Sequence, residues 1–315
     1  MKSFKSLETI KAKFSLIPVL LLVGVMFFSS CNNDDDDMME KEPKNLVEVA
    51  ADAGQFTILI QAAQKAGLDE YLSTQDGITV FAPTDDAFKM LLSDLGLTSL
   101  DDIQVADLTN ILLYHVIGSK AMSTDLKSGY FPTLSKSGSN NISMYINVDD
   151  GVSINKNIKV TAADIEAKNG IIHVVDKVIL PPSVVNIALD NDNFSILVQA
   201  VVKAGLVDAL SGAGPFTVFA PTNDAFNSLF AQLGISGVND LTAEQLIPIL
   251  TYHVVPGNVM STDLSNGMVP TLSGDKKLSV DLSSGVKIND SQVVAADIQG
   301  SNGVVHVINK VLLPQ

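Results

Sequence analysis

Apolar residues fall along this chain in two rhythms, one helical and one strand-like, and the whole succession occurs twice. Leu46 to Ala51 and Phe56 to Ala66 carry helical spacing, with Phe56, Leu59, Ile60, Ala63 and Gly67 on one face. Gly67 is placed to close that helix, as Gly205 is in the second succession. Ile78 to Ala82 is a short apolar run between Gly77 and Pro83, the pattern of a buried strand. Thr84 and its counterpart Thr222 stand where an N-cap belongs. The acidic or amide pairs Asp85-Asp86 and Asn223-Asp224 follow in the first turn, where they suit the helix dipole. Ala87, Phe88, Leu91 and Leu92 then form an apolar stripe. A further helix leads into Tyr114-His115; its second copy opens with the capping-box pair Thr242 and Gln245. Pro248 is expected to kink that second copy, where the first has Asn110. Beyond Val116 the rhythm becomes strand-like, in Ile142 to Val148, Val152 to Ile154, Ile158 to Val160 and Ile171 to Leu180. Helices first and strands later around one core predict an α+β domain.

The repeat is close. Phe56 to Ala62 returns as Phe194 to Ala200, and TVFAPTDDAF from Thr79 returns from Thr217 with one substitution, both at an offset of 138. Tyr114-His115-Val116 returns as Tyr252-His253-Val254, and Met122 to Leu126 as Met260 to Leu264. Near the C-terminus the offset is 133, where Asn169 to Pro181 matches Asn302 to Pro314. Most of the difference falls between Ser135 and Gly151, a polar stretch predicted to be a loop or hairpin tip. A period this long is a domain duplication, not a solenoid repeat. Domain one is placed at 44–180 and domain two at 184–313, joined by the short, stiff Pro181-Pro182-Ser183.

Ahead of the domains, residues 1–30 have the form of a secretion signal. Lysines from Lys2 to Lys13 precede the apolar run Phe14 to Phe28, and Ser29-Ser30 leads to Cys31. Pro18 and Gly24 interrupt the run, which is short for a membrane span. Cys31 is the only cysteine and so has no disulfide partner. The stretch resembles a bacterial lipobox, which implies diacylation of Cys31; an uncleaved membrane anchor is the alternative. Residues 31–43, with Asp34 to Asp37 in sequence, read as a solvated acidic tether. Its acidity resembles the surface-export signals of Bacteroidetes lipoproteins and points to the outer membrane facing the cell surface, with the periplasmic face as the other possibility.

Formal net charge is −15, and residues 1–30 contribute +3 of it, leaving −18 beyond. The chain contains no Arg. Phosphate backbones are held by clustered Lys and Arg, so nucleic acid is excluded as a partner. Attraction to an anionic membrane surface is disfavoured too, which leaves the lipid anchor as the membrane contact.

The motifs resemble the fasciclin (FAS1) domain family. Its N-terminal box matches Thr79 to Phe88 and Thr217 to Phe226, its central Tyr-His matches Tyr114-His115 and Tyr252-His253, and its C-terminal box matches Asn169 to Pro181 and Asn302 to Pro314. The resemblance implies a β-wedge or sandwich with a small helical bundle packed on it, and a role in adhesion, matrix contact or ligand binding without catalysis. In animal members Tyr-His and a later Asp-Ile are linked to integrin binding. The matching positions here are Tyr114, His115, Asp164, Ile165, Tyr252, His253, Asp297 and Ile298. The residues before Asp-Ile are Ala162-Ala163 and Ala295-Ala296, where the animal motif has Glu-Pro.

No other chemistry stands out. All four histidines, His115, His173, His253 and His306, are repeat-matched and flanked by apolar residues, which favours a structural role over catalysis or metal binding. Zinc spacings, a G-x-S-x-G elbow and a phosphate loop are absent. Asp190 to Asn193 lacks the Gly and distant Glu of a calcium loop and reads as a turn. No cofactor is expected. The expected function is an envelope-anchored module binding a protein, matrix or glycan partner. The second reading is a carrier of a small apolar ligand or glycan in a groove between helices and wedge.

Overall fold

The computed structural model describes residues 42–315. Cys31, the signal-like segment and nearly all of the acidic tether therefore lie outside the described residues.

Domain one begins with three helices, α1 (Leu46–Ala53), α2 (Thr57–Lys65) and α3 (Asp69–Thr74). Strand β1 (Ile78–Pro83), helix α4 (Asp85–Asp94), helix α5 (Val105–Tyr114) and strand β2 (Val116–Ile117) follow. The chain then folds as β3 (Gly129–Ser137), β4 (Asn140–Asn147), β5 (Ser153–Ile154), β6 (Ile158–Ala167) and β7 (Gly170–Val175). β1 runs parallel to β7, with Ile78 opposite Gly170 and Phe81 opposite His173, while its other edge pairs antiparallel with β2. The seven strands close into a ring in chain order. β1 and β7 are buried along their whole length, as expected of central strands covered on both faces.

Domain two repeats this order. Its helices and first strands are α6 (Val184–Leu189), α7 (Ser195–Lys203), α8 (Val207–Ser211), β8 (Phe216–Pro221), α9 (Asn223–Leu233), α10 (Ala243–Tyr252) and β9 (Val254–Pro256). The remaining strands are β10 (Gly267–Pro270), β11 (Lys277–Asp281), β12 (Lys287–Ile288), β13 (Ser291–Gly300) and β14 (Gly303–Ile308). β14 and β8 form the parallel pair. Here the circuit opens between β9 and β10, where one bond from Leu272 N–H to the Val254 carbonyl spans the gap at 2.8 Å.

Each domain has two cores. One lies between helices and sheet, around Phe56, Phe88 and Leu108 in domain one and Phe194, Phe226 and Leu246 in domain two. The other fills the wedge between the strands, around Phe81 and Met144 or Phe219 and Leu278. This α+β architecture is the one expected.

Several local expectations change. The polar stretch beginning at Ser135 is largely strand, because β3 extends to Ser137 and β4 starts at Asn140. Gly129 pairs with Ile146 but Gly267 with Val280, so this hairpin is four residues longer in domain one. The last strand is shorter than expected. β7 ends at Val175; beyond it Val178 packs into the helix-side core, and Ile179 leaves the ladder for a partner described below. Helix α10 runs unbroken through Pro248. The backbone bond that Pro248 cannot make would end on the carbonyl of exposed Glu244, which water can reach. Ser183 belongs to domain two as the N-cap of α6, its hydroxyl accepting from Asn186 N–H.

The longer hairpin lies against domain two. Ser143 Oγ accepts from Gln299 N–H at 3.0 Å in a buried contact, and Ser137 Oγ donates to the Ser301 carbonyl at 2.9 Å. The Tyr130 ring packs on the helical core of domain two, and its hydroxyl accepts from Asn191 Nδ2 at 3.3 Å. Lys156 pairs with Asp192 across the same junction.

Candidate functional site

Tyr114 closes α5, and its side chain is fully buried in the wedge. Its hydroxyl donates to the Ser143 carbonyl at 2.9 Å and accepts from Asn155 Nδ2 at 3.1 Å. Tyr252 is bound in the same way, to the Lys277 carbonyl at 2.8 Å and Asn289 Nδ2 at 3.0 Å. Burial drives the Tyr114 hydroxyl well above the usual tyrosine range.

His115 caps the same helix, buried to 1% exposure. Its Nδ1 lies 2.7 Å from the Ile111 carbonyl, which only accepts, so Nδ1 carries the proton. Nε2 is then bare and accepts from Ile179 N–H at 2.9 Å. His253 repeats this with the Ile249 carbonyl at 2.8 Å and Leu312 N–H at 2.8 Å. Each ring thus clamps the end of its helix to the segment that has left the last strand. Burial without a charge partner lowers both imidazoles to about 4. A direct contact role for Tyr114, His115, Tyr252 and His253 meets a physical obstacle, since these side chains are no more than 2% exposed.

Asp164 and Asp297 are placed differently. Both sit at positive φ in irregular stretches of β6 and β13. Asp164 accepts from Ser123 N–H and Oγ, both at 2.6 Å, and so anchors the turn Met122 to Leu126. These Ser123 bonds hold the Asp164 carboxyl below the usual aspartate range. Asp297 anchors the matching turn through Ser261 N–H at 2.7 Å and Ser261 Oγ at 2.5 Å. Behind each carboxylate stands a buried imidazole of the other tautomer. His173 Nδ1 accepts from Asp164 N–H at 3.3 Å, while Nε2 donates to the Ala121 carbonyl at 3.0 Å. His306 does the same with Asp297 N–H at 3.2 Å and the Val259 carbonyl at 2.9 Å. Burial lowers both imidazoles, so they are neutral. Ile165 packs partly buried against the helical core, and Ile298 is buried at 4% exposure. Of the eight matched residues, the two carboxylates and Ile165 therefore keep accessible surface. The Thr124 and Asp125 side chains, and Thr262 and Asp263 in the repeat, are exposed on the turns they anchor.

Other residues of the motifs prove to be clamps that sequence reasoning did not single out. Asn169 accepts from Leu46 N–H and donates to the Leu72 and Gln75 carbonyls, each at 2.9 Å. Asn302 does likewise with Val184, Leu210 and Gly212. Thr79 and Thr217 are buried and hold the chain after β2 and β9 through Ala121 N–H and Val259 N–H. Asp85, read as a first-turn residue of its own helix, also accepts from Ile58 N–H of α2 at 2.7 Å. Their shared signal is position: each is a polar residue inside a motif that appears twice.

Between the helices and sheet of domain two lies an apolar cavity of about 180 Å³, walled by α6, α7, α8, β8 and β14. The equivalent space in domain one measures about 40 Å³. Among the described residues no three His, Cys, Asp or Glu side chains gather as metal ligands, and no helix is long and apolar enough to cross a membrane.

These features define a duplicated α+β domain whose signature residues serve the backbone. The chain belongs to the fasciclin family: the fasciclin domain model matches residues 54–181 and 192–314. Protein sll1483 of Synechocystis sp. is 47% identical over 133 residues, covering 42% of this chain and 73% of that one. Transforming growth factor-beta-induced protein ig-h3 of Sus scrofa is 33% identical over 274 residues. That match covers 86% of this chain but only 38% of the longer relative. Among solved structures, the FAS1 domain pair of the insect cell adhesion molecule Fasciclin I aligns with TM-score 0.49 and 18% identity, over 83% of this chain and 98% of that one.

Proposed function

We propose that this protein is a non-enzymatic interaction module, held at the cell envelope by a lipid on Cys31, that presents its fasciclin domains to a protein, matrix or glycan partner. The observation that carries the reading is the twice-built exposed turn. Asp164 and Asp297 fix Met122 to Leu126 and Met260 to Leu264 in the same way, while Thr124 and Asp125 or Thr262 and Asp263 face solvent. The tyrosines and histidines behind the turns have their polar atoms occupied by the chain itself, so contact falls to the turns and to Ile165. Two like sites on one chain add avidity where a partner can engage both. Membership of the fasciclin family supports an interaction role, and the run from Phe14 to Cys31 supports the anchor.

The test uses cells carrying the full chain. Labelled palmitate should enter the wild type and not Cys31→Ala, and protease added to intact cells should cut the domains. Absence of label at Cys31 sinks the anchor, and resistance until lysis sinks the surface position. The double variant Asp164→Ala with Asp297→Ala should lose adhesion of these cells to matrix while staying folded. Adhesion at the wild-type level would remove the turns as the contact.

A further inference from the structure

The two domains also differ in a place that neither turn touches. Leu189, Val202 and Val207 line the domain-two cavity; 138 residues earlier the chain has Ala51, Gln64 and Asp69, of which Asp69 lines the smaller domain-one space. Three aliphatic side chains thus replace small or polar ones, and all three border the larger cavity. Leu189 and Val202 are 44% and 60% exposed, so two of these replacements leave apolar surface in water at the rim. Burial in their own fold does not account for that exposure, but a guest would.

The cavity wall limits what the guest can be. His253 is its one side chain with polar nitrogens, and both are already bonded, to the Ile249 carbonyl and Leu312 N–H. No donor or acceptor of the wall is left for a polar ligand group, which would be stranded inside at a cost. The Phe219 ring packs in the wedge core beside His306, and apart from the bonded His253 the wall side chains are valines, leucines and alanines, so no stacking platform selects a planar molecule. A chain of net charge −15 also disfavours an anionic head group at the mouth.

We propose that domain two binds the alkyl chain of a neutral amphiphile in this cavity, with its head group left in water beside Leu189 and Val202. This inference stands apart from the surface-contact reading and does not depend on it. An apolar cavity of about 150 Å³ stays dry and admits a benzene-sized guest, so a space of about 180 Å³ should take roughly six to eight carbons.

Calorimetric titration of the purified protein with straight-chain alkanols, butanol to decanol, tests this. One site is expected, tightening about fourfold per added methylene and levelling off near six to eight carbons. Val202→Gln with Val207→Asp, which installs the domain-one residues at half-buried or exposed positions, should weaken octanol binding at least tenfold. Val201→Phe, which fills the cavity from its wall, should do the same. Octanoate should bind more weakly than octanol. The proposal is overturned by no binding, by tightening that continues to decanol without levelling, by variants that bind like the wild type, or by octanoate binding as tightly as octanol.

Discussion

Domain one and domain two share their polar clamps almost atom for atom and differ in their outlines. The imidazole bonds of His115 and His253 agree within 0.1 Å, and the Tyr114 and Tyr252 hydroxyls have the same kinds of partner. The hairpin, by contrast, is four residues longer in domain one, and the apolar cavity about four times larger in domain two. A buried donor or acceptor left alone costs the full desolvation of that group, so every member of a clamp must change together or not at all. A hairpin tip or a cavity mouth carries no such penalty. The duplicated chain has varied where variation is cheap: one domain extends a strand pair over its neighbour, and the other opens a space.

The sharpest break in the comparison comes from the helix-to-strand clamp. His115→Ala strands Ile179 N–H and the Ile111 carbonyl and leaves a hole; together these should cost about 3–4 kcal/mol of domain stability. His253→Ala should cost the same in domain two, read by urea unfolding at pH 7. Acid should imitate both variants. The folded imidazoles titrate at about 4, below the unfolded value of about 6.5, because burial favours the neutral ring. Their contribution is therefore complete above pH 6.5 and is lost as pH falls toward 4. Unequal losses for the two variants, or a flat profile between those pH values, would mean that the matching bonds do not carry matching energy.

Much of this fold was legible because its signals are local. Thr84 and Thr222 cap α4 and α9 where the sequence placed caps, and Thr242 with Gln245 forms the expected box. β3 escaped notice because Pro132, Ser135 and Ser137 dilute its apolar alternation, and its strand character comes from pairing with β4 instead. The Tyr-His positions were legible as important but not as buried. Their partners, Asn155 and Ile179 for the domain-one pair, lie 41 and 64 residues away, and no short-range pattern encodes contacts of that length. The cavity had a faint trace in sequence, three aliphatic replacements between aligned copies, which acquire meaning only when their positions converge in space.

A middle-sized effect concerns the hairpin. Deleting Ser137 to Asn140 gives domain one the shorter connection of domain two and removes the Ser137 bond to the Ser301 carbonyl. Each domain should unfold as before, while the coupling between them falls by about 1 kcal/mol, the worth of one such bond with its neighbouring contacts. Distances between spin labels on α4 and α9 should broaden. An unchanged distribution would show that Tyr130 and Ser143, which the deletion spares, hold the junction without the extension.

The smallest effect should appear at Asp190, which shows how the same residue type acquires a different role in each copy. Asp52, its counterpart, is exposed and paired with Lys44. Asp190 ends α6 in the polar crevice formed with Tyr145, Asn147 and Lys159 of domain one, where partial burial pushes its carboxyl up to about 6 against the pull of Lys156. Its folded value lies above the unfolded one of about 3.9, so the folded chain binds the extra proton and the sign is opposite to that of the histidines. The penalty of ionising Asp190 is absent below pH 3.9, grows as pH rises through the folded value of about 6, and levels off only about one unit above it. Between pH 7 and pH 6, before the histidine loss becomes large, mild acid should therefore tighten the junction, narrowing the same label distances. Asp190→Asn should hold them narrow at both pH values, and Asp52→Asn should change nothing. A wild-type junction that ignores this pH step would mean that water reaches the Asp190 carboxylate as freely as it reaches Asp52.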